Sequence, residues 1–423
     1  MKQADKQKRT DEEETMKGNC VVAQSGGPTA VINASACGVI QEAMRHPEID
    51  GVYAAYNGIL GVMNEQMFDL RKEDPSTIEG LRTTPASALG SCRYKVKTDE
   101  DYAKILDVFR RYNIRYFFYI GGNDSMDTAD KVNKLAAREG YEFRAMGVPK
   151  TIDNDLAFTD HCPGYGSVVK YLATMVMEAG RDTEALYTTD TVNVIEAMGR
   201  NAGWIAAGTA LAKRSEEDAP HIVLLPEAPF DAEKFKARVD HFLTTIERCV
   251  IVVSEGTKNP DGTYIAEQKG EFAKDAFGHT QLGGAGFFIK NLVESEVKVK
   301  TRFAIPSTIQ RSGAHFASLT DSEEAYTTGV AAVRHAVSGE SGKMVTLKRV
   351  SDDPYRCETG LASLSDVANG EKLFPTEWIG PDGFSVTDEF VRYARPLIMG
   401  EVKPIIDGGL PSFMRFKKNF VRP

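Results

Sequence analysis

Short apolar runs alternate along this chain with longer segments whose apolar residues recur at helical spacing, and most runs end in glycine or a polar loop. The first run, residues 19–23, leads into Ser25-Gly26-Gly27-Pro28-Thr29 and a helix over about 30–44, whose small residues suit close packing on a sheet. A second run, 52–56, ends in Asn57-Gly58. A helix over about 101–112 then precedes Tyr116-Phe117-Phe118-Tyr119-Ile120, which has the length and aromatic content of a central strand. That strand feeds into Gly121-Gly122-Asn123-Asp124-Ser125 and a helix reaching about residue 138. The run 145–148 follows, then Pro149-Lys150-Thr151-Ile152-Asp153-Asn154-Asp155, and Gly164-Tyr165-Gly166-Ser167 opens the next helix. Strands are expected over 192–195, 221–225, 250–254, 299–305 and 344–347, with an alanine-rich helix after Gly203 and another helix over 322–337.

Strand and helix alternating in this way predict an α/β fold with doubly wound sheets in two lobes that share strands. Residues 1–18 are nearly all charged or polar and predict a disordered tail. From residue 348 onward Pro, Gly and Asp punctuate the chain, so that part is expected as an irregular extension packed on the second lobe. No repeat of solenoid length occurs.

The 423 residues suffice for two or three such lobes, and 42% apolar with 26% charged residues is ordinary for a globular protein in water. Lys+Arg of 51 against Asp+Glu of 60 gives a net charge of −9, which argues against a nucleic-acid partner. No run approaches the roughly 18 apolar residues of a membrane span, and the first residues lack the apolar centre of a signal peptide. A cytoplasmic protein without a membrane partner is expected. The six cysteines are scattered, without the paired spacing of a zinc site.

Candidate chemistry collects at the ends of the apolar runs, where open α/β sheets place their ligands. Glycine-rich strand-to-helix loops leave backbone N–H groups free at a positive helix end, which suits phosphate. Ser25-Gly26-Gly27 and Gly121-Gly122-Asn123-Asp124-Ser125 are two such cradles. The loop after residue 148 adds one cation, two carboxylates, a hydroxyl and an amide, a set suited to phosphoryl transfer. Arg93 stands among small residues in Ser87-Ala88-Leu89-Gly90-Ser91-Cys92-Arg93, and its pattern fits a surface arginine as well as a phosphate ligand. Arg302 and Arg311 lie on and after the 299–305 strand.

Taken in order over about residues 19–337, Gln24-Ser25-Gly26-Gly27, Gly121-Gly122-Asn123-Asp124-Ser125, Pro149-Lys150-Thr151-Ile152-Asp153-Asn154-Asp155, Glu196-Ala197-Met198-Gly199-Arg200 and Gln310-Arg311-Ser312-Gly313 resemble the signatures of the 6-phosphofructokinase family, and more closely its pyrophosphate-dependent branch. The resemblance implies the two-lobed fold of that family: a phosphoryl-donor lobe of residues 19–190 with part of the C-terminal region, a sugar-phosphate lobe of 191–345, and an extension over 346–423. It implies reversible, Mg2+-dependent transfer of a phosphoryl group from pyrophosphate to the 1-hydroxyl of fructose 6-phosphate, in a homodimer or homotetramer. Asp153 corresponds to the carboxylate that takes the hydroxyl proton, a step an alcohol needs before it can attack. Lys150, Asp124 and Thr151 accompany it in the catalytic set. Thr151 and Asp155 would steady Asp153 and, through water, the magnesium, with Asn123 beside the metal. The resemblance places the diphosphate on Gly26, Gly27, Arg93 and Lys150. It places the sugar phosphate on Thr151, Asp153, Met198, Gly199, Arg200, Glu255, Arg302, Thr308 and Arg311.

Several positions depart from the family pattern. Asn123 stands where most members carry an aspartate, so a neutral carbonyl replaces one anion near the metal. Thr308 replaces a histidine of ATP-using members, Ser312 replaces a glycine, and Thr191 stands where bacterial ATP-using members place an arginine that reaches a neighbouring subunit. ATP-using members typically have glycine at the positions of Asp124 and Lys150. A carboxylate at 124 would repeat the charge and occupy the space of a nucleotide α-phosphate. Lys150 would supply a cation for pyrophosphate, with Asp124 helping to position it. An ATP-dependent kinase and a non-catalytic regulatory subunit are the alternatives, and the presence of Asp153, Arg200 and Arg311 argues against the second.

Overall fold

The computed structural model describes residues 16–186, 188–266 and 283–423. The expected tail falls outside these residues as far as residue 15. Its end is ordered: the Met16 carbonyl accepts a 2.7 Å hydrogen bond from the Tyr116 hydroxyl, and Gly18 already belongs to a strand.

The strands in chain order are β1 (Gly18–Gln24), β2 (Ile49–Ala55), β3 (Met67–Asp69), β4 (Ile114–Gly121), β5 (Arg144–Pro149), β6 (Val192–Ala197), β7 (Ile222–Leu224), β8 (Cys249–Ser254), β9 (Thr301–Ala304), β10 (Lys343–Asp352) and β11 (Tyr355–Ser363). They form a seven-stranded sheet in the order β11-β10-β5-β4-β1-β2-β3 and a four-stranded sheet in the order β7-β8-β6-β9. The four-stranded sheet is parallel throughout, and β3 and β11 are antiparallel edges of the larger one. The α/β class and the two doubly wound sheets expected from the alternation are present.

Near-continuous apolar strands are what a parallel sheet covered on both faces requires. In β4, Phe117 and Tyr119 pack on one face with residues of the helices Asp99–Arg111 and Asn123–Arg138. Tyr116, Phe118 and Ile120 pack on the other with residues of the helices Ile32–Ala43 and Leu319–Val337. Each such fully buried ring contributes about 2–3 kcal/mol. Strand β8 divides its side chains between two clusters in the same way.

The small residues of the helix Ile32–Ala43 pack on the sheet as expected and serve a second purpose. They let it lie against another helix: a Cβ on Gly38 would come within 2.2 Å of the Tyr326 carbonyl oxygen, and one on Gly329 within 2.2 Å of that of Ser35. The helix Leu319–Val337 is thereby fixed to the first lobe, so the span 319–345 groups with the seven-stranded sheet, and the four-stranded sheet ends with β9. This helix starts before the expected residue 322 because the Ser318 hydroxyl caps it by accepting from Asp321 N. Thr98 does the same for the helix Asp99–Arg111, whose acidic first turn carries no apolar signal.

The region after residue 348 is more ordered than its punctuation suggests. Strand β10 continues to Asp352, and β11 returns antiparallel along it. The helix Leu364–Asn369 follows, and the chain end packs at the far edge, where Asp69 N donates to Asn419 O and Val421 N to Met67 O. Among the described residues no helix is long and apolar enough to cross a membrane.

Candidate active site

The carboxyl ends of β1, β4, β5, β6 and β8 all open on one cleft of about 550 Å³ between the two sheets. Its lining brings together Gly26, Gly27, Arg93, Asn123, Asp124, Lys150, Thr151, Asp153, Met198, Arg200, Glu255 and Arg311, residues drawn from both lobes.

The first cradle is shaped by approach rather than by length. Gly26 has φ +75°, and a Cβ there would stand 3.2 Å from the Lys150 ammonium. A Cβ on Gly27 would stand 3.0 Å from an Arg311 guanidinium nitrogen. Two cations from different lobes thus converge on bare backbone. The Lys150 ammonium donates to the Gly27 carbonyl at 3.0 Å, and Lys150 N donates to the Gly121 carbonyl, which ties the two cradles together. Burial lowers the Lys150 pKa to about 8 against the opposing pull of Asp153, with Arg311 and Arg93 lowering it further.

Asp153 and Asp155 are both held above the ordinary carboxylate range. Burial is the main cause for each, followed by the Glu255 carboxylate for Asp153 and by Asp153 itself for Asp155. Asp153 N donates to the Thr151 hydroxyl at 3.1 Å, which fixes the turn between them. The Asn123 side-chain carbonyl oxygen is buried and has no hydrogen-bond partner among the described residues.

On the other side, Gly199 has φ +126° and its N–H donates to Glu255 at 3.2 Å, while Met198 N donates to the Gln310 side chain at 3.1 Å. Gly256 packs directly on the Arg200 backbone, where a Cβ would meet the Arg200 carbonyl oxygen at 1.9 Å. Burial raises the Glu255 pKa.

Two expected site residues lie elsewhere. Arg302, on β9, is paired with Asp190 at 2.7 Å and its side chain is about half exposed, and Thr308 lines a separate hollow with Pro85, His315 and Phe413. Both are absent from this cleft's lining: β9 is the edge strand of its sheet, and of the helix Thr308–Ser312 Gln310 is buried against Met198 N while Arg311 lines the cleft. Among the described residues Asp124 pairs with Lys95, at 3.1 Å, and does not position Lys150 as expected; the Lys150 ammonium is held by the Gly27 carbonyl. No sequence signal marks Lys95, which stands two residues beyond Arg93 in a polar loop without periodicity. Ala368, Asn369 and Glu371 also line the cleft, and Glu371 accepts from Asn201 at 2.9 Å. Nothing in their irregular stretch signals that placement.

The sequence model of the family described as Phosphofructokinase matches residues 19–336. A pyrophosphate–fructose 6-phosphate 1-phosphotransferase of Halomonas elongata is 47% identical over 409 residues, covering 95% of this chain and 97% of that protein. One of Methylococcus capsulatus is 46% identical over 402 residues, covering 94% and 95%. The crystal structure of a pyrophosphate-dependent phosphofructokinase from Marinobacter aquaeolei superposes with a TM-score of 0.88 at 44% identity, covering 96% of this chain and 98% of that one.

Proposed function

This chain belongs to the phosphofructokinase family, and from that premise we propose that it transfers a phosphoryl group from pyrophosphate to the 1-hydroxyl of fructose 6-phosphate, giving fructose 1,6-bisphosphate and orthophosphate. The observation that carries the reading is a half-buried carboxylate, Asp153, in one cleft with the cationic cradle of Gly26, Gly27, Lys150 and Arg93 and with Arg200 and Glu255.

Asp153 takes the proton of the 1-hydroxyl. The freed oxygen bonds to the near phosphorus while the bond from that phosphorus to the bridging oxygen breaks, and orthophosphate leaves with the bridging oxygen. In the reverse direction the protonated carboxyl returns the proton. A pKa raised by burial suits both directions, because a base is most effective when its pKa lies near the working pH. Gly26, Gly27, Lys150 and Arg93 hold the diphosphate, and Arg200, Glu255, Met198 and Gly199 hold the sugar phosphate. Arg311 reaches both.

The orphaned Asn123 oxygen, in one cleft with Asp155, is a hard-oxygen set that fits Mg2+. When bound, the ion would neutralise pyrophosphate charge as the transferred group moves. Asp124 faces the donor end and excludes the α-phosphate of ATP by charge and volume, while Lys95 beside it keeps the carboxylate from repelling the smaller donor equally. Arg302 and Thr308 would reach a sugar phosphate only in a neighbouring copy's cleft, in keeping with a homodimer or homotetramer in the cytoplasm.

A coupled assay for fructose 1,6-bisphosphate with pyrophosphate or ATP as donor tests the reading. Turnover with pyrophosphate, and a fall in kcat of about 10²–10⁴-fold in Asp153→Asn, are expected. Turnover with ATP alone, or an unaffected Asp153→Asn, contradicts it.

A further inference from the structure

The catalytic loop is held from a part of the chain beyond the span matched by the family model. After the helix Leu364–Asn369 the chain crosses behind residues 150–155, and Lys372 N donates to the Asp155 carbonyl at 2.8 Å. The Lys372 ammonium then meets three acceptors from the same loop and its continuation: the Asp160 carbonyl at 2.7 Å, the Thr159 carbonyl at 3.2 Å and the Asn154 side-chain oxygen at 3.3 Å. None is a carboxylate, so the three bonds fix direction, where a single ion pair would fix only distance.

Asn154 stands between Asp153 and Asp155 with φ +54° and is fully buried. A left-handed backbone at a residue other than glycine costs about 1–3 kcal/mol and persists only where its surroundings hold it. Here they do. The Asn154 side-chain oxygen also accepts from Cys162 N at 2.9 Å, and its amide donates to the Tyr393 hydroxyl at 3.3 Å. That hydroxyl donates in turn to the Asp160 carbonyl at 2.8 Å. The same segment is anchored to the loop that follows Arg200. Trp204 Nε1 donates to the Lys372 carbonyl at 3.0 Å, and Phe374 N and Gly203 N both donate to Glu227 at 3.0 Å.

We infer that Lys372, seconded by Tyr393, is a positioning residue that sets the direction of the Asp153 carboxylate by locking Asn154, and that registers this carboxylate against the sugar-phosphate loop. The inference rests on Asp153 being the base proposed above. Lys372 does not line the cleft, so its loss acts on turnover and leaves the binding of both substrates alone.

The test is a double-mutant cycle of Lys372→Met with Asp153→Asn, with kcat and both KM values measured and the fold checked by circular dichroism. In the wild-type background Lys372→Met lowers kcat by about 10–100-fold, the cost of displacing a catalytic group by about 1 Å, with each KM within about twofold. In the Asp153→Asn background the same substitution costs less than about twofold, because the group it positions is gone. Equal losses in both backgrounds, a rise in KM that accounts for the loss, or wild-type kcat in Lys372→Met overturns the inference and leaves the base assignment standing. Near-normal turnover in Asp153→Asn alone overturns the base assignment and the inference with it. Where Lys372→Met does not yield folded protein, Tyr393→Phe takes its place in the cycle, with the same pattern expected at a smaller loss of kcat.

Discussion

The two halves of the cleft are shaped by different physical means. On the side proposed for the sugar phosphate the shape is made by backbone: Gly199 in a left-handed conformation, its N–H on Glu255, and Gly256 pressed against the Arg200 carbonyl. On the side proposed for the donor the outer wall is made by two partly exposed side chains, Lys95 at 38% and Asp124 at 35%, which touch each other at 3.1 Å. A surface made by packed backbone cannot change without moving its strand. A surface made by exposed side chains can, and exposed pairs of this kind contribute only about 0–1 kcal/mol to stability. On the proposed assignment, donor choice is the property that can be altered here without disturbing the fold.

Gly256→Ala should break the sugar side most severely. The new Cβ meets a carbonyl oxygen that no side-chain rotation can clear, so the Arg200 loop must shift. A fall in kcat/KM for fructose 6-phosphate of about 10²-fold is expected, with a lower Tm from overpacking that costs about 1–3 kcal/mol. Wild-type Tm and kinetics would show that the loop is not fixed by this contact.

Arg200→Ala sharpens the division between the halves. Losing a charge-assisted contact worth about 1.5–3 kcal/mol raises KM for fructose 6-phosphate by about 10–100-fold and leaves that for pyrophosphate nearly unchanged. Arg311→Ala should raise both, because its guanidinium lies against Gly27 of the donor cradle. An effect of Arg311→Ala on the sugar phosphate alone would place that side chain wholly on the sugar side.

The pattern of the sequence carried the two sheets, the cradles and most of the cleft, because these follow from local signals: apolar runs, glycines at their ends, and charged loops directly after them. The pairing of Asp124 with Lys95, the reach of Glu371 to the cleft and that of Lys372 to the loop carrying Asp153 depend on side chains distant in the chain and on stretches without periodicity. The small residues of the helix Ile32–Ala43 were readable as a close-packing signal, but the helical partner was not, since Gly329 lies nearly three hundred positions away.

A smaller effect follows from Lys150, which burial holds at about 8. Its cation is complete well below that pH and is lost as pH rises through it. Between pH 7 and pH 9 the KM for pyrophosphate should therefore rise several-fold, while that for fructose 6-phosphate changes less. A flat pyrophosphate KM over that interval would show that Lys150 does not carry donor charge.

The central claim, that a carboxylate on a replaceable donor wall selects pyrophosphate, is tested by kcat/KM for pyrophosphate and for ATP in the wild type, Lys95→Ala, Asp124→Gly and the double variant. The wild type should prefer pyrophosphate, and Asp124→Gly should gain at least about tenfold toward ATP, about 1.4 kcal/mol of transition-state stabilisation. It should keep most of its pyrophosphate activity, because Lys150 is held by Gly27 rather than by Asp124. Lys95→Ala alone should weaken pyrophosphate use without admitting ATP, since the repelling carboxylate remains. A wild type that prefers ATP, or an Asp124→Gly variant with no gain toward ATP, would contradict the claim.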